Sequence, residues 1–151
     1  MPYLLLLACG APSQTEPIQE RVSHTQELTL QLSARDHQLS CSDLSSSQLQ
    51  KDLVEIVDTV ERPPWVPMRA AACLTELYPQ DSEEDLIRWI SAPNKKGLAF
   101  LIAGQLSKIP DDSAISIAKA GLKGPHARDL RVRLKKQKDT RFTPLLSPHP
   151  Q

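Results

Sequence analysis

The chain has 151 residues, enough for one domain of ordinary size. Only 4% of residues are aromatic against 40% hydrophobic, so a core must be built from Leu, Ile, Val and Ala, which favours packed helices and argues against an all-β sandwich. Lys plus Arg and Asp plus Glu both number 18, a balance that argues against nucleic-acid binding, yet the charge is segregated: residues 1–91 hold 14 acids and 6 bases (net −8), and residues 92–151 hold 4 acids and 12 bases (net +8).

Tyr3 to Ala8 form a short apolar run, followed by Cys9, Gly10 and a largely polar stretch. The run is far below the roughly 20 residues of a membrane-spanning helix. It reads as the end of a secretory apolar region, a signal-peptide remnant over residues 1–8. Leu6-Leu7-Ala8-Cys9 resembles the lipobox of bacterial lipoproteins. The resemblance implies that Cys9 is acylated on its thiol, as palmitate labelling would report, and becomes the first residue of the mature chain. It also implies a bacterial cell-envelope protein. Gly10, in place of an aspartate, points to an outer-membrane lipoprotein facing the periplasm.

Residues 9–42 then read as a polar tether. Within it Glu27 to Ser33 alternate like a strand, while Ile18, Val22, Thr25, Leu28 and Leu32 fit a helical stripe. No second strand lies nearby, so an amphipathic helix or an extended segment laid on the domain is expected. With Cys9 lipidated, Cys41 and Cys73 remain as a pair in an oxidising compartment, where even cysteine counts usually signify disulfides. Two small buried thiols that never meet are the alternative.

From Ser47 the helical period is clear, and a helical domain is expected over residues 43–139. Ser47 and Gln50 read as a capping box ahead of an apolar face made by Leu49, Leu53, Ile56, Val57 and Val60. Pro63 and Pro64 stop this helix. Val66, Ala70, Cys73, Leu74 and Leu77 share the face of a second helix, ended by Pro79. Ser82 is placed to cap a third, with Glu83, Glu84 and Asp85 at its positive end and Leu86, Trp89 and Ile90 inward. Asn94 to Ile109 form a fourth, apolar all round and so expected at the centre, with Gly97, Ala99, Ala103 and Gly104 allowing close helix approach. Asp111 and Asp112 open a fifth helix carrying Ile115, Ile117, Ala118 and Leu122. Gly124-Pro125 separates it from a last helix with Ala127, Leu130 and Leu134 inward. Residues 140–151 are expected as a disordered tail.

The punctuation repeats. Pro63, Pro93 and Pro125 are 30 and 32 residues apart, and Pro79 and Pro110 are 31 apart. Fixed spacing of helical pairs signals a solenoid. Arg69-Ala70-Ala71-Ala72 with Leu74 and Leu77 resembles a HEAT repeat; Lys96, Ala99, Ala103 and Leu106 follow the pattern with the Arg replaced, and Arg128 with Leu130 follows it loosely. The resemblance covers roughly residues 48–138. It implies an all-α fold, a short right-handed α-solenoid of about three helical hairpins. A plain helical bundle is the alternative.

His24, His37, His126 and His149 are scattered, so no zinc site is expected. No phosphate loop, dinucleotide fingerprint or nucleophile elbow is present. No cofactor, small-molecule substrate or enzymatic activity is expected. Trp65 and Trp89 read as a core or seam pair. The outstanding feature is residues 126–141, where Arg128, Arg131, Arg133, Lys135, Lys136, Lys138 and Arg141 face only Asp129 and Asp139. A terminal repeat needs a polar outer face; the same residues, Arg128 to Lys138, also suit an anion- or partner-binding face. The expected function is a non-enzymatic protein–protein interaction module. A cytosolic nucleic-acid-binding helical repeat using this basic helix is the alternative.

Overall fold

The computed structural model describes residues 18–34 and 40–147, with side chains from residue 24 onward. Cys9 and the lipobox-like stretch lie outside the described residues, as do residues 35–39 and 148–151. Among the described residues the fold is all-α, with no strand. The helices are α1 (Ile18–Ser33), α2 (Leu49–Thr59), α3 (Trp65–Leu77), α4 (Glu83–Ile90), α5 (Lys96–Gln105), α6 (Asp111–Lys123), α7 (Ala127–Gln137) and a single turn, α8 (Thr143–Leu146). Short 3₁₀ turns occupy Cys41–Asp43, Leu106–Lys108 and Thr140–Phe142. No helix among them is long and apolar enough to cross a membrane.

Consecutive helices pack as pairs, α2 on α3, α4 on α5 and α6 on α7; α5 also packs on α3 and α7, and α4 on α6. The pairs share one apolar core. Trp89 and Phe142 are its largest fully buried side chains, surrounded by Leu, Ile, Val and Ala. The low aromatic content is thus concentrated where volume is most needed. Gly121 marks the tightest approach: a Cβ there would come within 2.8 Å of Ile90 Cδ1 and 3.0 Å of Leu130 Cδ1. Of the two glycines expected to allow close packing, Gly97 faces open space and Gly104 makes room only for the Arg133 guanidinium.

Side chains link each pair to the preceding one at a nearly constant step. Arg88 donates to both Asp58 carboxylate oxygens (2.8 and 2.9 Å), and the buried Trp89 Nε1 donates to the same carboxylate at 2.7 Å. Ser113 donates to Glu83, and Arg141 to Asp111 at 2.7 Å. Each of these links spans 30 or 31 residues. Burial pushes the Asp58 carboxyl up, but the bonds from Arg88 and Trp89, with the attraction of Arg88 and Lys95, outweigh this and hold it below the usual carboxylate range.

Two boundaries differ from the sequence expectation. The polar tether over 9–42 is corrected from Ile18 onward. Leu28 and Leu32 on α1 are buried at 2% and 0% exposure, and α1 packs on α2 and α3. Arg69 donates to the carbonyls of Leu32 and Ala34, and Trp65 Nε1 donates to the Ser33 carbonyl at 3.3 Å. The helical stripe prevails over the alternating reading because its apolar face has α2 and α3 to cover it. Cys41 and Cys73 are joined in a disulfide with Cα atoms 5.3 Å apart, fastening the segment after α1 onto α3. The disordered tail is corrected over residues 140–147. Phe142 is fully buried and α8 packs on α7, because an aromatic at this position closes the end of the core.

Two helix starts also differ. The hydroxyl that orders the start of α2 is that of Ser46, which accepts from the Gln48 N–H at 3.2 Å and donates to the buried Asp52 carboxylate. Ser82 sits at the start of α4, but its hydroxyl is buried without a partner and caps nothing.

Docking of α1 makes its leucines inequivalent. Leu32→Ala should destabilise the protein by about 2–4 kcal/mol, while Leu30→Ala, at a residue 71% exposed, should change stability by less than about 0.5 kcal/mol. Urea unfolding of the two variants measures the difference; equal effects would mean that α1 is not part of the folded unit. Separately, the disulfide closes a loop with a sequence separation of 32 residues. By the chain-entropy argument its removal in Cys41→Ala/Cys73→Ala should lower stability by roughly 3–4 kcal/mol, read as a lower denaturation midpoint.

Candidate functional site

The positive charge of the second half divides into engaged and free groups. Arg141 is engaged most fully. It donates to Asp139 at 2.7 Å, to Asp111 at 2.7 Å and to the carbonyls of Leu106 and Ile109 at 3.1 Å each. The hydrogen bonds from the Arg141 side chain and backbone N–H and the attraction of its charge hold the Asp139 carboxyl below the usual carboxylate range, against the opposing effect of burial. Lys95 donates to the Val57 carbonyl at 2.9 Å, and Lys96 pairs with Asp129 at 2.7 Å. The Lys96 bond holds Asp129 below the usual range as well. By contrast, Arg128, Arg133, Lys135, Lys136 and Lys138 have no carboxylate within 4.0 Å among the described residues.

These free cations do not form one face. Leu130 and Leu134 turn inward, which leaves the remaining positions of α7 on an exposed arc wide enough to front two neighbours. Toward α5 stand Asp129, Val132, Arg133 and Lys136, which with Phe100 line a groove of about 390 Å³. Toward α8, Lys135 and Lys138 line a second hollow with Leu146. Lys138 is turned there by a left-handed backbone (φ 54°) that ends α7. Arg131 lies on this side too, its guanidinium 3.5 Å from the carbonyl oxygens of Leu145 and Leu146. Arg128 is exposed near the start of α7. The single basic face expected over Arg128 to Lys138 is therefore corrected to two separate surfaces.

The groove between α5 and α7 adds a residue that the sequence reading left unmarked. The Phe100 ring is partly exposed and has cations on it: Lys96 Nζ lies 5.4 Å and the Arg133 guanidinium carbon 5.8 Å from its centroid. Phe100 and Lys96 are four residues apart on α5, one turn of one face. That spacing was visible within "KGLAFLIAG", but the wholly apolar run gave no sign of which side met water. Val132, opposite, is 52% exposed.

A second cleft, of about 400 Å³, lies where the α2–α3 and α4–α5 connections meet, walled by Val57, Val60, Pro64, Met68 and Leu98. Of its polar lining, Asp58 accepts from Arg88 and Trp89 and lies 3.7 Å from Lys95, and Lys95 donates to the Val57 carbonyl; Glu61 and Asn94 complete the wall. Trp65 and Trp89 do not act as a pair in bonding: one is tied to α1 and the other to Asp58. His126 bonds the Ala92 carbonyl at 3.0 Å. Among the described residues no three His, Cys, Asp or Glu side chains converge to hold a metal ion.

Compared with known proteins, the chain matches no family model, and neither a curated protein nor a solved structure is significantly similar to it.

The division of charges can be measured. Arg141→Gln should cost about 1.5–3 kcal/mol, the usual scale for hydrogen bonds to a charged group, whereas Lys136→Gln should change stability by less than about 0.5 kcal/mol. The Arg141–Asp139 pair also has a pH signature. A depressed carboxyl pKa contributes stability that is complete above the unfolded value of about 3.9 and is lost as pH falls through the folded value. Wild type should lose stability in that acid window, and Arg141→Gln should lose less, as followed by thermal unfolding between pH 7 and pH 2.

Proposed function

We propose that this chain is a lipid-anchored protein of the bacterial envelope that presents a short, HEAT-like, right-handed α-solenoid to a protein partner and acts as a non-enzymatic scaffold. The observation that carries the reading is the disulfide between Cys41 and Cys73. Thiols are kept reduced in the cytosol, so a structural bridge belongs to an exported chain. Of three cysteines it leaves Cys9, in the stretch that resembles a lipobox. The solenoid is supported by successive packing of the helix pairs and by links that step about 30 residues at a time. The same disulfide disfavours the cytosolic nucleic-acid-binding alternative, as does the division of the basic helix into two surfaces.

The anchor is tested with the gene expressed from its native locus in its own host. Wild type should incorporate radiolabelled palmitate and fractionate with membranes, and Cys9→Ser should do neither. An unlabelled wild type that fractionates like Cys9→Ser would sink the anchor.

A further inference from the structure

We infer that the groove between α5 and α7 is the docking site for an acidic peptide segment of a protein partner, one that carries an aromatic or aliphatic anchor between its carboxylates. The inference rests on the reading of the chain as a protein-binding module, and not on the lipid anchor.

The chemistry of the groove defines its ligand. Its floor is apolar, made by the partly exposed Phe100 ring and by Val132. Around this floor stand Lys96, Arg133 and Lys136 against Asp129, three positive groups and one negative, a net +2. Lys96 and Asp129 neutralise each other at 2.7 Å, so the unmatched charge belongs to Arg133 and Lys136. An anion alone would leave Phe100 and Val132 uncovered, and an apolar side chain alone would desolvate two free cations. Only a ligand offering both satisfies the site.

Arg133 is held ready for this role. Its guanidinium lies over Phe100 and beside Gly104, where a Cβ would come within 3.3 Å of Nη2. A side chain at position 104 would crowd the guanidinium; glycine leaves it room to lie across α5. Its planar fork suits a carboxylate. Lys136 follows three residues later on the same face of α7, placing the two cations about 5–6 Å apart at their Cβ atoms. Acidic residues three or four apart on a helical segment have the same spacing. The site is a groove of about 390 Å³ between two helices, with its aromatic ring partly buried. That shape admits a side chain from a peptide and suits a membrane surface poorly, since membrane contact favours apolar groups on a crest.

The test is selection from a random dodecapeptide library displayed on phage. The bait is the oxidised full chain carrying Cys9→Ser, so that the outcome does not depend on lipidation. Selected peptides should be enriched in Asp and Glu flanking Phe, Trp, Leu or Ile. Their affinity should fall at least tenfold in Arg133→Gln/Lys136→Gln and by less than twofold in Lys135→Gln/Lys138→Gln, which removes the same charge from the other side of α7. All four positions are exposed, so unchanged circular dichroism is expected for both variants. Equal losses in the two variants would reduce the effect to bulk charge and overturn the proposal. So would selected peptides without acidic enrichment, which would leave the protein-binding reading intact and locate its site elsewhere. If no peptide is selected at all, the groove proposal fails, while the protein-binding reading, which does not depend on this groove, stands. Arg133- and Lys136-dependent binding to phosphatidylglycerol vesicles, or self-association with the same dependence, in place of peptide binding would also overturn it.

Discussion

Burying Trp89 leaves one indole N–H that must find an acceptor, and Asp58 supplies it from the helix pair before. A carboxylate drawn toward a core needs compensation in turn, which Arg88 provides with two bonds and Lys95 with a longer contact of 3.7 Å. Three side chains from α4 and the α4–α5 connection thereby fix where α2 lies. The same logic recurs one step later, where Ser113 donates to Glu83, and again where Arg141 gathers Asp111, Asp139 and two carbonyls. Shift one helix pair by a few residues along its neighbour and each of these donors loses its acceptor. The core leucines alone, which pack without direction, would not penalise such a shift as strongly.

This registry also explains why the two halves of the chain differ in charge without either being a simple field. The acids of α2 and α4 and the bases that follow are partly consumed by one another across successive pairs. The cations left without an ion pair among the described residues include Lys108, Lys119 and Lys123 as well as those of α7, which has no following pair. A terminal helix ordinarily carries polar residues for solvation. Here α8 covers one flank of α7, while the other flank carries Phe100 and an exposed Val132 beside free Arg133 and Lys136.

How much of this was legible follows from which signals are local. Proline spacing and the 3.6-residue period locate α2 through α7 closely, since caps and apolar faces are properties of short windows. The capping serines were placed less well: Ser46 rather than Ser47 orders α2, because its hydroxyl bridges to Asp52 six residues on. The ends were read less closely for a different reason. The stripe of α1 is weak by composition and gains its order from Arg69, Trp65 and the disulfide, all more than 30 residues away from it or from its flank. Phe142 lies among prolines and polar residues that resemble a tail, and only the open end of the core makes its burial favourable. The groove at Phe100 was hidden by the same non-locality. A run apolar on every side does not say which side a neighbour leaves uncovered.

The docking of α1 changes what an anchor at Cys9 would do. Were residues 9–42 a free tether, a flexible chain of that length would let the domain range roughly 30 Å from its lipid on average, and a good deal farther when extended. With α1 beginning at Ile18 and packed on α2 and α3, the link from Cys9 to the folded unit is nine residues, at most about 32 Å even fully stretched. In the lipid-anchored reading the domain therefore stays within about one diameter of the bilayer. A partner segment reaching the groove between α5 and α7 must then be presented close to the membrane. That favours partners that are themselves membrane-attached, because restriction to one surface raises the effective concentration of a weak, charge-dependent contact without any new interaction.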